Sequence, residues 1–122
     1  MKADLRQLSE ADLIERFRAL ALQKSKFLLD SNTRPLRRNY DDMEAIDQQL
    51  RRRGPEARRA LAALLDDEDM RVRYEAARRL LAVVPERALT TVQAIANRHL
   101  MPVSGEAGMT LDALETGIFK PD

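Results

Sequence analysis

Residues 64–81 read LLDDEDMRVRYEAARRLL, and this stretch decides the fold. Two leucines end an apolar helical run, four acidic residues form a turn, and Val72 lies at the start of a second helix with its own apolar stripe. A helical hairpin of this kind has to stack on neighbouring hairpins to bury its hydrophobic face. The sequence therefore predicts a small all-α repeat architecture.

Composition predicts one domain spanning residues 1–122 with an aliphatic core. The chain is 44% apolar and 34% charged, but only 4% aromatic and without Trp. The absence of Cys excludes disulfides and thiolate chemistry. No apolar run reaches the roughly 18 residues that a membrane span needs, and the first ten residues lack a signal-peptide core. We expect a cytoplasmic protein that does not enter the membrane.

The first helix is predicted to run from Ser9, its N-cap, to about residue 29, and residues 1–30 are expected to cap the array. Leu22 and Leu29 lie opposite its main apolar stripe. Either a second helix covers them or they bind a partner, which makes homodimerisation through Leu22 and Leu29 an expectation. The main stripe comprises Leu13, Phe17, Leu20, Ala21, Phe27 and Leu28.

The second helix follows Pro35 and is predicted to end at a Gly54-Pro55 turn, where Gly adopts positive φ and Pro begins the next helix. Its expected inward stripe is Leu36, Tyr40, Met43, Ile46 and Leu50, and its acidic residues Asp41, Asp42, Glu44 and Asp47 are expected to be solvated. The following helix is expected to bury Ala57, Ala60, Leu61, Leu64 and Leu65.

Three further helices complete a predicted total of six in antiparallel hairpins. Asp69 is the expected N-cap of the first, and Pro85 ends it and begins the second. A bend at Ser104-Gly105 precedes the last helix, which Gly117 stops. Residues 103–122 are expected to form a C-terminal cap whose tail docks through Ile118 and Phe119. The stripe predicted for the helix after Asp69 is Val72, Ala76, Ala77, Leu80 and one of Val83 and Val84.

Residues 55–81 resemble one HEAT-like repeat. The matching pattern is LL, an acidic turn, then VR, AA and L, from Leu64-Leu65 to Leu80. The resemblance implies a short right-handed α-α superhelix of the HEAT or armadillo kind. It also implies that Asp69 caps the inner helix and that Arg73 bonds the turn of an adjacent repeat.

Residues 36 onward resemble a small bacterial family of uncharacterised HEAT-like proteins. The segments that carry this resemblance are LRRRGPEARRAL (50–61), VVPERAL (83–89) and AGMTLDALETGIFKP (107–121). The family implies the fold and, by analogy, a binding role, but no activity.

The inventory of reactive groups argues against an enzyme, a cofactor or a metal site. His99 is the sole histidine, expected near a helix C-terminus, and has no ligand-spaced partner. The acidic turn lacks the central Gly and terminal Glu of a calcium loop. No nucleophile, base and orienting group can be assembled, so no catalytic residue is assigned.

Arginines form the candidate binding site. One interpretation is a solvated face with helix-dipole complements and i,i+4 pairs such as Asp47–Arg51. The other is an anion-recognising patch, because guanidinium groups fit carboxylates and phosphates. The candidates are Arg34, Arg37, Arg38, Arg51, Arg52, Arg53, Arg58 and Arg59.

The charge distribution bears on the partner. Residues 1–61 hold 14 Lys and Arg against 10 Asp and Glu, or +4, while residues 62–122 hold 7 against 10, or −3. The near-neutral total of +1 and the few aromatics argue against nucleic acid. We expect a non-catalytic protein-interaction module of the adaptor or immunity type that binds an acidic protein. A nucleic-acid-binding HEAT-like protein is the alternative.

Overall fold

The computed structural model describes residues 4–122, and the prediction of an all-α fold with six α-helices is confirmed. The part of the chain described contains no strand. Two 3-10 segments accompany the helices, at Leu5–Gln7 and Ala60–Asp66. The helices are α1 (Glu10–Leu29), α2 (Leu36–Arg52), α3 (Pro55–Arg59), α4 (Met70–Leu80), α5 (Pro85–Ala96) and α6 (Val103–Thr116). The first three residues of the predicted capping range 1–30 lie outside the described residues.

The helices divide into two compact units, one ending at Leu61 and the other formed by Ala62–Asp122. In the first, α1 packs on α2, and α2 packs on α3. In the second, α5 packs against both α4 and α6, and α4 also contacts α6. Short connections join the helices that pack on one another within each unit. The stacking of hairpins into a superhelix stays a prediction.

The prediction that α1 begins after Ser9 is confirmed, because the Ser9 hydroxyl accepts a hydrogen bond from the Asp12 amide at 3.1 Å. Leu13, Phe17 and Ala21 are fully buried. Of the two residues expected on the other side, Leu22 is half-buried and Leu29 is 75% exposed. The α1 stripe therefore faces inward as predicted, while Leu29 projects into solvent.

The predicted stripe of α2 is correct at Met43, Ile46 and Leu50 but wrong at Tyr40, which is exposed. Asn39 is buried instead. Its amide donates to the Leu20 carbonyl of α1 at 2.9 Å and to Gln23 Oε1 at 3.2 Å. The helical period allows either position 39 or position 40 to face α1. Asn39 takes the buried position because its amide group reaches a backbone acceptor there.

Asp47 is also buried, at 4% exposure, so the expectation that it belongs to a solvated face is wrong. Its Oδ1 lies 3.6 Å from Nε of Arg58, which is itself buried on α3. A buried carboxylate needs a charged partner, and α3 supplies one. Asp41 is exposed as predicted, and Asp42 and Glu44 are partly so.

The Gly54-Pro55 turn forms as predicted. Gly54 has φ +107° and ψ 172°, and Pro55 is the first residue of α3. This backbone conformation is accessible essentially only to glycine. Gly54 donates to the Arg51 carbonyl, and its own carbonyl accepts from the Arg58 amide, so the one residue joins the end of α2 to the start of α3.

The helix expected after Pro55 is α-helical only as far as Arg59 and continues as the 3-10 segment Ala60–Asp66. Leu61, Leu64 and Leu65 are nevertheless buried, as predicted. Seven residues are long for a 3-10 helix. The apolar spacing alone did not predict this change from α-helical to 3-10 winding.

The predictions for α4 are confirmed at its cap and stripe. Asp69 Oδ1 accepts from the Val72 amide at 3.0 Å. The stripe residues Val72, Ala76, Ala77 and Leu80 are fully buried. Val83 and Val84 are half-buried beyond the end of the helix.

The HEAT-like resemblance implied that Arg73 bonds the turn of an adjacent repeat, and this expectation is wrong. Its Nη1 donates to the carbonyls of Asp67, at 2.7 Å, and Glu68, at 3.1 Å. Both belong to the acidic turn that precedes α4, so Arg73 closes the turn of its own hairpin. Six residues separate Arg73 from Asp67, a span that the long side chain covers easily.

The bend expected at Ser104-Gly105 is wrong, since both residues lie inside α6. Ser104 is buried, and its hydroxyl donates to the Ile95 carbonyl at 2.6 Å and accepts from the Leu100 amide at 2.8 Å. This anchoring fixes the start of α6 against the end of α5. Tertiary hydrogen bonding thus overrides the low helix propensity of glycine.

The C-terminal segment follows the prediction at Gly117 and Phe119 but not at Ile118. Gly117 ends α6 in a left-handed conformation at φ +79°. Phe119 is half-buried, with the Arg78 guanidinium 5.5 Å from its ring centroid. Ile118 is 84% exposed. The tail therefore docks through one of its two bulky residues.

Across residues 4–122, no helix has both the length and the apolar character required to cross a bilayer.

We expect Gly54→Val to lower the free energy of unfolding by about 1–3 kcal/mol, because a side chain with a Cβ resists this backbone conformation. Urea denaturation followed by circular dichroism measures the change. A Cβ at Gly54 would meet no atom within 4 Å, so Gly54→Ala should cost nearly as much. If only the valine variant is destabilised, crowding and not φ is the cause. An unchanged midpoint in both would contradict the assigned turn.

Candidate functional site

The candidate arginines fall at opposite ends of α2 and do not form one patch. Arg34, Arg37 and Arg38 lie at or before its start, and Arg51–Arg53 lie at its end, close in sequence to Arg58 and Arg59 of α3. Fifteen residues of helix separate Arg37 from Arg52, which corresponds to about 22 Å at 1.5 Å per residue. The rise per residue of an α-helix was enough to predict this separation from the sequence.

At the start of α2, the arginines are exposed and pair along the helix. Arg37 lies 3.7 Å from Asp41, and Arg38 lies 4.0 Å from Asp42. Exposed i,i+4 pairs of this kind contribute only about 0.3–0.5 kcal/mol each. These residues match the interpretation of a solvated helix face.

At the end of α2 lies a group that we call the arginine corner, formed by Arg51, Arg52, Arg53, Arg58 and Arg59. Two of its members hold the fold together. Arg53 Nη2 donates to the carbonyls of Leu5, at 3.1 Å, and Leu8, at 2.6 Å, so it anchors the segment before α1. Arg58 is the buried partner of Asp47. Both are therefore engaged within the protein.

The other side chains of the arginine corner are more accessible. Arg51 is half-buried, whereas Arg52 and Arg59 are exposed. Neither exposed guanidinium makes an ion pair with a residue in the described range 4–122. The turn at Gly54 joins the end of α2, which carries Arg52, to α3, whose last residue is Arg59. Arg52 and Arg59 can thus present two cations to an outside group.

A second charged cluster is buried on α4, and sequence reasoning missed it. Glu75 is 1% exposed and lies between Arg71, one turn before it, and Arg79, one turn after it. Arg71 Nη1 is 3.1 Å from one Glu75 carboxylate oxygen, and Arg79 Nη1 is 2.9 Å from the other. We call Arg71, Glu75, Arg79 and Glu106 the buried charge network. The Arg-Glu-Arg spacing of four residues was the available sequence signal.

The buried charge network extends to α6. Arg71 Nη2 pairs with Glu106, and the Tyr74 hydroxyl lies 2.7 Å from Thr110 Oγ1. The Arg71 guanidinium also lies 5.8 Å from the centroid of the Tyr74 ring. Two arginines and two glutamates make the network formally neutral. It therefore fastens α4 to α6 without leaving a net buried charge.

The surroundings shift the pKa values of two members of this region. Burial alone would lower the pKa of Arg71, but the hydrogen bond to Glu106 and the charges of Glu106 and Glu75 raise it overall. Burial raises the pKa of the Tyr74 hydroxyl, partly offset by its hydrogen bond with Thr110. Arg71 therefore stays charged and Tyr74 stays neutral over the physiological range. The role of the buried charge network is therefore structural, because it holds α4 against α6.

Other features of the described chain are less informative. An open groove of about 350 Å³ is lined by Leu65, Asp66, Glu86, Arg87, Thr90 and Thr91. Its charged pair, Arg87 and Asp66, is solvent-exposed at 3.3 Å. No cluster of three or more His, Asp and Glu side chains able to hold a metal ion occurs between residues 4 and 122. His99 is exposed and lies three residues beyond the end of α5.

These observations define an all-helical protein with internal charge networks and an exposed pair of arginines. A family model described as Domain of unknown function (DUF2019) matches residues 11–115. Since this span covers most of the 122 residues, the chain belongs to that family.

The chain is also similar to a solved structure, "Crystal Structure of the Protein RPA1889 from Rhodopseudomonas palustris CGA009". The two are 35% identical, with 99% of this chain and 100% of the other covered and a TM-score of 0.92. A likeness of this extent shows a shared fold and assigns no activity. No match was found among curated proteins.

We expect Glu75→Gln to lower the free energy of unfolding by about 3–5 kcal/mol, because it leaves two buried arginines without their shared carboxylate. Chemical denaturation measures the change. The matched control is Glu68→Gln, which removes the same charge at an exposed position and should change stability by less than about 0.5 kcal/mol. Equal effects of the two variants would show that the buried charge network does not stabilise the fold.

Proposed function

We propose that this protein is a non-catalytic interaction module that binds an acidic protein surface through Arg52 and Arg59. The observation that carries the proposal is that the arginines of the arginine corner fall into two groups, one engaged within the protein and one exposed. Arg53 and Arg58 are committed to internal partners, while Arg52 and Arg59 are exposed on the two helices that the Gly54 turn joins.

Chemistry favours a carboxylate-bearing partner. A guanidinium group is planar and weakly hydrated, and it pairs with a carboxylate through two parallel hydrogen bonds. Residues 1–61 carry a net charge of +4, which would steer an acidic surface toward this part of the chain. The Gly54 turn holds the helix ends in place, so less conformational freedom is lost on binding than on a flexible loop.

The adaptor and immunity types fit this proposal equally, because both work by covering a surface of another protein. A catalytic role has less support, since the sequence offers no combination of nucleophile, general base and orienting group beside the exposed cations. Nucleic acid remains the competing ligand, because arginines also bind phosphates. Its test is the salt dependence of binding.

The experiment compares two charge reversals of equal size. We expect Arg52→Glu with Arg59→Glu to weaken binding to poly-glutamate at least tenfold by fluorescence anisotropy. The control, Arg37→Glu with Arg38→Glu, changes the same charge at the other end of α2 and should leave most of the affinity. Both variants should keep the wild-type circular dichroism spectrum, because all four side chains are exposed.

The same titrations with a 20-base-pair duplex at about 50 and 200 mM salt test the alternative. Tighter binding to the duplex, with a loss of about tenfold or more at the higher salt, would support a nucleic-acid ligand and overturn the acidic-protein proposal. Equal losses in the two charge-reversed variants would show that net charge, and not the arginine corner, governs binding.

A further inference from the structure

The segment that precedes α1, Asp4–Leu8, is tied to the end of α2 by one guanidinium group. We call these five residues the leading segment. Arg53 Nη2 donates to the carbonyls of Leu8 at 2.6 Å, Leu5 at 3.1 Å and Arg6 at 3.4 Å. The carbonyls at the end of a helical turn need outside donors, and a cation suits the negative end of the turn. Arg53 thus holds the leading segment by its backbone.

The leading segment buries little of its own surface. Its 3-10 helix contains no buried residue. Leu5 and Leu8 are half-buried, and the other three residues are exposed. The ion pair between Asp4 and Arg6 lies within the segment, so it does not attach the segment to α2. A segment with few buried contacts detaches more readily than a helix of the core. The hydrogen bonds of Arg53 are therefore important for keeping it docked.

The two internally engaged members of the arginine corner differ in how exchangeable their partners are. Arg58 is 8% exposed, and its Nε lies 3.6 Å from the carboxylate of buried Asp47. Arg53 is half-buried, and its acceptors are carbonyls without net charge. A carboxylate attracts a guanidinium more strongly than a carbonyl does, because it carries the opposite charge. An incoming carboxylate can therefore replace the partners of Arg53.

The nitrogen that Arg53 gives to the leading segment is the one that a carboxylate requires. A guanidinium group holds a carboxylate bidentately through Nη1 with Nη2, or through Nε with Nη2. Nη2 belongs to both pairs, and it is the nitrogen that the three backbone carbonyls share. A bidentate carboxylate and the docked leading segment therefore compete for Arg53.

We propose that the leading segment is an autoinhibitory strap on the arginine corner, and that an acidic partner displaces it. Displacement frees Arg53, which follows Arg52 at the end of α2 and joins Arg52 and Arg59 as a third cation. This inference rests on the proposed function, because it takes carboxylates as the ligand of the arginine corner. The coupling is reciprocal, so docking weakens carboxylate binding by the factor by which a bound carboxylate weakens docking.

The first experiment unwinds the leading segment with Arg53 intact. Gln7→Pro removes the amide that donates to the Asp4 carbonyl and disfavours a helical conformation at the residue before it. We expect this variant to bind poly-glutamate at least threefold more tightly than wild type by fluorescence anisotropy. Gln7→Ala is the matched control, because it removes the same exposed side chain and keeps the amide. Equal affinity of all three proteins would overturn the proposal.

The second experiment asks whether the gain depends on Arg53. In an Arg53→Gln background, adding Gln7→Pro should change the affinity for poly-glutamate by less than about 1.5-fold, because no third cation is left to release. If Gln7→Pro tightened binding equally with and without Arg53, the strap mechanism would be wrong. Should Arg53→Gln fail to fold, the first and third experiments decide, since both retain Arg53.

The third experiment measures the reverse coupling with trypsin, which cleaves after arginine. Arg6 lies in the leading segment and is exposed, so cleavage after it reports how often the segment detaches. Saturating poly-glutamate should raise the rate of this cleavage about threefold or more, followed by mass spectrometry. The same addition should leave the rate unchanged in Arg52→Glu with Arg59→Glu, which controls for effects on trypsin itself. An unchanged or lower rate in wild type would contradict displacement.

The variants also distinguish this inference from the proposed function. If Arg52→Glu with Arg59→Glu retained full affinity for poly-glutamate, the proposed function would fail and the strap with it. If that variant lost affinity while Gln7→Pro gained none, the arginine corner would bind carboxylates and the strap alone would be wrong. Position 7 lies outside α1–α6, so Gln7→Pro should keep the wild-type circular dichroism spectrum.

Discussion

The second compact unit depends on the charge of Glu75 and its two arginines. The three side chains lie on consecutive turns of α4, almost entirely shielded from water. An ionised carboxylate in such a place is tolerated only when its charge and its oxygens are satisfied, and Arg71 and Arg79 satisfy them on both sides. Because Arg71 also pairs with Glu106, the same interaction fixes which side of α6 faces α4. The apolar stripe of α4 supplies burial, and the charges add a pairing between α4 and α6.

Fixing the inner side of a helix also fixes what it presents outside. With Glu106 and Thr110 directed to α4, Met109 of α6 is left 71% exposed. The same argument applies to the arginine corner of the first unit. Arg58 is drawn inward by Asp47 and Arg53 is occupied by backbone carbonyls, so Arg52 and Arg59 are the corner residues left exposed. In both units, internal charge pairing takes some charged side chains into the protein and leaves others exposed.

This dependence explains which features could be predicted from the sequence. Helix ends follow local rules, and the caps at Ser9 and Asp69, the turn at Gly54 and the stop at Gly117 all form as expected. The buried charges do not follow local rules. Glu106 is 35 residues away from Arg71, so neither position alone indicates burial. For the same reason Asp47 resembled a solvated residue, and Asn39 could not be chosen over Tyr40 until its acceptors on α1 were known.

Stability and surface chemistry are consequently separable in this chain. Arg58, Arg71 and Arg79 are buried arginines with structural roles, so a survey of arginines by sequence mixes them with those that can reach a ligand. Arg52 and Arg59 make no contribution to the buried charge network, and both are exposed. Changes at these positions should therefore alter association while leaving the helices intact, because surface positions without such partners contribute little to stability. For a family described only as a domain of unknown function, that separation lets binding measurements report on function rather than on folding.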